Sequence, residues 1–357
     1  VKFIVRAGEL AEALALAGRV IPKTPSLAVY AGVRLTVKAG SLAVAGSAEG
    51  DTTVTVTVPV ADSADGDAVL LPKPITTFLS TLRASTEVTV TGGDAPQIIV
   101  AAAGGSPYTF RVLEATFPAA PTSKHDVRSA DFTLLSAAVA AVKDCAKKNK
   151  IVQLVSEETG LRLHATDGIR LTRALLPAAG FGPFSGLLPL AVVEQIADAD
   201  ITVGAVARRG RMFTATGPKV SIVTRLVEEM FPIVDSVLAA TPEFFTDVPL
   251  QQLRDALARL ASVAEDKRPL IVALAGDELI LSMSSVNLGA GAERIELSGP
   301  VTGEVTFGVN LEFLVAAAAA HSGAAVTLGW THATQPLFMR SAEPLEITNV
   351  VMPVKLT

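Results

Sequence analysis

Lys147, Lys148 and Lys150 crowd three ammonium groups into one turn, directly after the apolar run Leu134–Val142. Cations so placed make exchangeable contacts to phosphate that carry no sequence information. Arg208, Arg209 and Arg211 repeat the theme in one hairpin turn, and Lys23 follows an earlier helical run. An ordinary solvated turn would hold the same residues, so their placement has to decide between the two readings. His164 and Asp167, with an acid from the last third of the chain, are the candidates for proton transfer. General acid–base chemistry needs groups within about 3 Å of the moving proton, and a strand sets these two on opposite faces or across a turn. No G-x-S-x-G, P-loop or H-E-x-x-H is present. His125, His164, His321 and His332 show no metal spacing, and Cys145 is the single cysteine. The expectation is no catalytic residue, no cofactor and no metal. With one cysteine there is no intrachain disulfide, which fits a reducing cytoplasm.

The elements that carry these residues come from a chain of 357 residues, half of them hydrophobic and 18% charged. That apolar surface excludes intrinsic disorder, and the length suits two or three domains. The uncharged stretches 174–193 and 313–339 are interrupted by Pro177, Pro183 and Pro189, and by His321, Gln335 and Pro336. Neither reads as a membrane span. The start, Val1-Lys2-Phe3-Ile4-Val5-Arg6, shows no export signal. Net charge is −5, but it is unevenly spread. Residues 122–241 carry fourteen basic and twelve acidic side chains, whereas 242–357 carry seven and thirteen.

One pattern recurs three times. Each third opens on an amphipathic helix, read from Gly8–Ala17, from Leu134–Val142, and from Leu250, Leu253, Leu257 and Leu260. Two strands around a Gly turn follow: Val33–Val44, Val152–Ala165 and Leu270–Leu281. A second helix (Ile75–Leu82, Leu190–Ala197, Leu311–Ala320) and another strand pair come next. Each third closes on an apolar residue before proline: Phe117-Pro118, Phe231-Pro232 and Met352-Pro353. Landmarks roughly 115–120 residues apart are domain-sized, far longer than a solenoid unit. The reading is an α+β fold of three repeated domains, 1–121, 122–241 and 242–357, each with two helices on about eight short antiparallel strands.

Ala165-Thr166-Asp167-Gly168-Ile169-Arg170-Leu171 resembles the ATDGHRL signature of the bacterial DNA polymerase III β sliding clamp family, and Val350–Leu356 resembles its terminal VMPMRL. The resemblance runs in order over essentially the whole chain. It implies a head-to-tail homodimer closed into a ring, with helices lining the hole and duplex DNA passing through without being read. Such a clamp has no catalysis of its own. It tethers polymerase, clamp loader and repair proteins through short peptides.

Carried over position by position, the peptide groove would be formed by Thr166, Gly168, Ile169, Arg170, Leu171, Pro232, Val237, Asn310, Phe313, Val350, Met352, Pro353 and Val354. The DNA-facing set would be Lys23, Lys147, Lys148, Lys150, Arg208, Arg209 and Arg211, and the subunit seam would set Tyr108 and Phe110 against Val263. Leu171, Val237, Val350 and Phe110 also suit plain core positions, and Asp167-Gly168 suits a plain turn. Two departures stand out. Ile169 replaces the signature's His, and Ile233-Val234-Asp235-Ser236 lacks the Tyr and Arg common there, which would leave the groove less polar and less basic. The alternatives are a phage-encoded or inhibitor-resistant paralogue, or a clamp-like protein that sequesters partners without loading on DNA.

Overall fold

The computed structural model describes residues 1–92, 96–119, 129–131, 134–157, 160–177, 184–199, 201, 203–207, 211–265 and 268–356. Its helices are α1 (Ala7–Gly18), α2 (Pro72–Leu79), α3 (Leu135–Ala146), α4 (Leu190–Asp198), α5 (Asp235–Ala239), α6 (Leu250–Leu260) and α7 (Leu311–Ala320). None is long and apolar enough to cross a membrane. The middle and last thirds share one element order: strand, helix, four strands, helix, three strands. The first third follows the same order with one added strand, Ala61–Ala64.

The apolar periods place the helices where expected. Leu250, Leu253, Leu257 and Leu260 form the buried stripe of α6. α2 departs from expectation, running 72–79 rather than 75–82. Pro72 and Pro74 suit a first turn, and Ser80 and Thr81 turn their hydroxyls back onto the Thr77 and Phe78 carbonyls at its end. α1 lies close on strand Ser41–Ala48, where a side chain at Gly46 would run into the Ala17 carbonyl.

The chain divides into two compact units. The first comprises Val1–Thr133 with Ala191–Leu226, the second Leu134–Leu190 with Val227–Thr357. Each is built on one eight-stranded sheet. In the first unit, strands 129–131, 203–207, 212–216 and 220–225 continue into 52–59, 41–48, 33–38 and 66–70. In the second, strands 184–189, 151–157, 160–166 and 170–176 continue into 346–351, 337–341, 325–330 and 244–249. The middle third therefore gives half of each sheet. The joints are antiparallel ladders, Val220↔Val56 through Thr224↔Thr52 and Arg170↔Val351 through Leu175↔Glu346. A five-stranded sheet ends on Pro107–Arg111, and a four-stranded sheet ends on Gly289–Glu296.

Candidate functional site

The signature segment is a β-turn held from three sides. Gly168 sits at φ +92°, where a Cβ is strained, which accounts for glycine there. The Asp167 carboxylate accepts the amides of Ile169 (2.9 Å) and Arg170 (2.8 Å). Thr166 Oγ1 donates to the Arg170 carbonyl at 2.6 Å and accepts the Gly168 amide at 3.1 Å. Asn149 donates to the Thr166 carbonyl and Lys148 to that of Asp167. Asp167 is thus a turn-builder, and it faces away from His164, whose Nδ1 is 3.1 Å from Gln153 Oε1. The two do not share a proton path.

Past the turn, strand Arg170–Leu176 alternates its side chains between two faces. On one face Arg170 bridges Asp167 Oδ2 (2.8 Å) and Asp144 Oδ2 of α3 (2.7 Å), with its guanidinium 4.2 Å from the Phe313 ring centre on α7. Burial by itself would raise both carboxyls. The Ile169 and Arg170 amides and the Arg170 guanidinium outweigh it at Asp167, and Lys147 and Arg170 do so at Asp144, holding both below the usual carboxylate range. Burial pushes the nearby Cys145 thiol up to about 11, which leaves it protonated.

On the opposite face Leu171, Val350 and Phe338 stand in one cross-strand row. They form a buried cluster with Val234, and Phe231, Val237 and Leu238 pack against it from the α5 segment. Exposed apolar groups surround this floor: Ile169 (47%), Met352 (40%) and Val354 (38%), with Ile233 at 85%. The Met352 amide donates to the Ile169 carbonyl at 3.2 Å, and the Val354 amide to that of Gly308 at 2.8 Å. The structure thus brings Leu171, Val237 and Val350 together, with Ile169 and Met352 beside them. Thr166 is 6% exposed with its hydroxyl spent on the turn, and Asn310 spends its side-chain oxygen on the Glu312 and Phe313 amides as the α7 cap. These two shape the site from beneath.

The cations are spread more widely. Lys147 pairs with Asp144 at 2.5 Å, and Lys150 ends α3 at φ +57° with an exposed side chain. Lys143, absent from the expected set, lines a cleft between α3 and α7 with Lys147, Lys148, Arg170 and Phe313. Its signal was the helical i, i+4 spacing to Lys147. Lys23 is exposed in the loop after α1, and Arg211 is exposed at the head of strand Met212–Thr216. Arg208 and Arg209 lie outside the described residues. Tyr108 is 54% exposed on the edge strand and stacks on Phe78 of α2 at 4.7 Å, with Phe110 5.9 Å from the same ring. Val263 lies beside Gly291 of the other edge strand and packs on its own core.

Two buried histidines add a pH response. Burial, with Arg173 and Arg162 nearby and opposed by Asp235, lowers His164 to about 4. Burial also lowers His321 to about 4, with Arg254 adding to it and Asn349 opposing. Unfolded histidine titrates near 6.5, so the unfolded chain binds protons first as pH falls. The stabilisation is complete above about pH 6.5 and lost toward pH 4, on the order of 3 kcal/mol for each histidine. Urea midpoints should fall steeply between pH 7 and 4.5, and less so in His321→Gln; a flat profile contradicts the assignment.

Residues 236–355 match the family model described as DNA polymerase III beta subunit, C-terminal domain. A beta sliding clamp of Synechococcus elongatus is 25% identical, covering 99% of both chains. Among solved structures, the DNA polymerase III beta subunit of Thermotoga maritima superposes with TM-score 0.88 at 20% identity over 100% of both chains. The sliding clamp of Pseudomonas aeruginosa bound to griselimycin superposes with TM-score 0.90 at 19% identity over 99% of both. The fold is that of a DNA clamp. The chain is a divergent member of the DNA polymerase III beta subunit family.

Proposed function

We infer that the chain is a DNA sliding clamp, a processivity factor without catalysis of its own, which tethers polymerase and other partners to duplex DNA in the cytoplasm. The observation that carries this reading is the full-length match of the fold, down to the thrice-used element order. A tether that encloses its track keeps its cargo at high local concentration without strong contacts, so a few exchangeable lysines suffice.

The register of the sheets supports a head-to-tail dimer of three-domain subunits divided near 121 and 241. Each internal joint sets the last strand of one third (Val220–Arg225, Glu346–Val351) on the third strand after the first helix of the preceding third (Thr52–Pro59, Arg170–Leu176). Applied once more, the rule pairs Pro107–Arg111 with Gly289–Glu296, the last strand of the first third with the third strand after α6. Both are sheet edges, and Tyr108, Phe110 and Val263 lie on or beside them. A second copy would complete the eight-stranded pattern and remove two open edges. Ile169, Met352, Val354, Pro232, Val237 and Phe313 over the Leu171–Val350–Phe338 floor form the groove for short peptides of polymerase, clamp loader and repair proteins.

The test is polymerase run length on primed DNA with a clamp loader. Wild type should extend it, and Phe110→Asp, monomeric by sedimentation, should not. A wild-type ring that no loader converts into longer products favours the sequestering alternative.

A further inference from the structure

Two residues along the strands from the groove floor, on the same face, lies a second cross-strand row: His164, Arg173, Thr348 and Arg340. Arg162 shares this face, two residues before His164. The row is poorly compensated. Arg173 gives Nη2 to Glu346 Oε1 at 2.6 Å and to Thr348 Oγ1 at 3.2 Å, while Arg340 reaches only the Ala240 carbonyl at 3.4 Å and otherwise lies 4.9 Å from the Phe338 ring centre. Among the described residues, the buried Nε atoms of Arg173 and Arg340 have no hydrogen-bond partner. His164, 2% exposed, likewise has an unpartnered Nε2. The acids that face the row are Glu346, itself 45% exposed at its side chain, and Asp235 of α5 near His164. Buried guanidinium N–H groups without acceptors are costly, and a carboxylate is the acceptor that fits their geometry.

We propose that Arg173 and Arg340 form an anionic subsite of the peptide groove, taking the carboxylate of an Asp or Glu side chain that lies within two positions of a partner's apolar anchor. This rests on the groove reading above. Phe338 joins the two: it is part of the apolar floor and also the ring against which Arg340 stacks. Two strand residues span about 7 Å, the reach of one or two residues of an extended peptide. The subsite restores cationic character that Ile233-Val234-Asp235-Ser236 leaves out of the neighbouring segment.

The test uses the full-length protein and random nine-residue display peptides, followed by affinities for the best peptide and its Asp→Asn or Glu→Gln counterpart. Expected are apolar anchors with an acid within two positions, and about tenfold weaker binding once that acid is neutralised. In Arg340→Gln the acidic and neutral peptides should bind alike, at the affinity of the neutral peptide for wild type. Glu346→Gln, which removes the resident competitor, should tighten the acidic peptide several-fold and leave the neutral one unchanged. Equal binding of both peptides to wild type, or equal weakening of both by Arg340→Gln, overturns the subsite and leaves the groove standing. Selected peptides indifferent to Val237→Glu with Met352→Glu, or no selected peptide at all, overturn the groove and the subsite with it.

Discussion

Lys143→Glu combined with Lys150→Glu should lower loader-dependent retention on DNA at least tenfold near 0.15 M salt, with most of the loss recovered at low salt. Both side chains are exposed, at the end of α3 or just after it. Each phosphate contact contributes close to one unit to the slope of log affinity against log salt, so reversing two charges outweighs a loss of two contacts. The structure also dictates which lysines to choose. Lys147 bonds Asp144, which with Asp167 holds Arg170, and Lys148 bonds the Asp167 carbonyl. Reversing those two would set a new carboxylate beside Asp144 and disturb the signature turn, mixing lost DNA contacts with a damaged groove. Peptide affinity should be unchanged in the Lys143/Lys150 variant. Unaltered retention at every salt concentration would remove these lysines from the DNA-facing surface.

Val237→Glu with Met352→Glu should weaken any groove-bound peptide about a hundredfold while leaving dimer and thermal midpoint intact. Met352 is 40% exposed and Val237 packs only partly buried on the Leu171–Val234–Phe338–Val350 cluster, so neither substitution forces a charge into the core. Loss of two apolar anchors at the centre of a small interface reaches 2–3 kcal/mol, which is this factor. Titration of a fluorescent peptide reads it directly, and unchanged affinity would move the partner site elsewhere. Truncation from Met352 is a poorer test, because Val354 also bridges to Gly308 at the edge of the neighbouring sheet.

Local features of the fold were legible because their causes are local. α7 runs over the expected Leu311–Ala320, since Asn310 caps it and the apolar run ends at His321. The Gly turn at 276 and the hairpin strands around it follow the same logic. α2 slipped because Leu82 was counted into the stripe, while Pro72 and Pro74 set the first turn earlier. Sheet continuity was not legible. Nothing near Val220–Arg225 points to Thr52–Pro59, because strand partners are chosen by tertiary packing. The same limit hid the basic row. Arg173 and Arg340 become neighbours only through Thr348, on a strand that neither residue's local sequence specifies. Leu171 and Val350 were legible as groove or core, and the structure shows why both readings had merit: they are the buried floor of an open apolar surface.

The most direct measurement is topological. Protein loaded onto nicked circular DNA, passed through a sizing column at moderate salt and then treated with a single-cutting nuclease should co-elute with the circle and dissociate within minutes of its linearisation. Retention on linear DNA equal to that on circles, or no retention on circles with an active loader, would contradict encirclement.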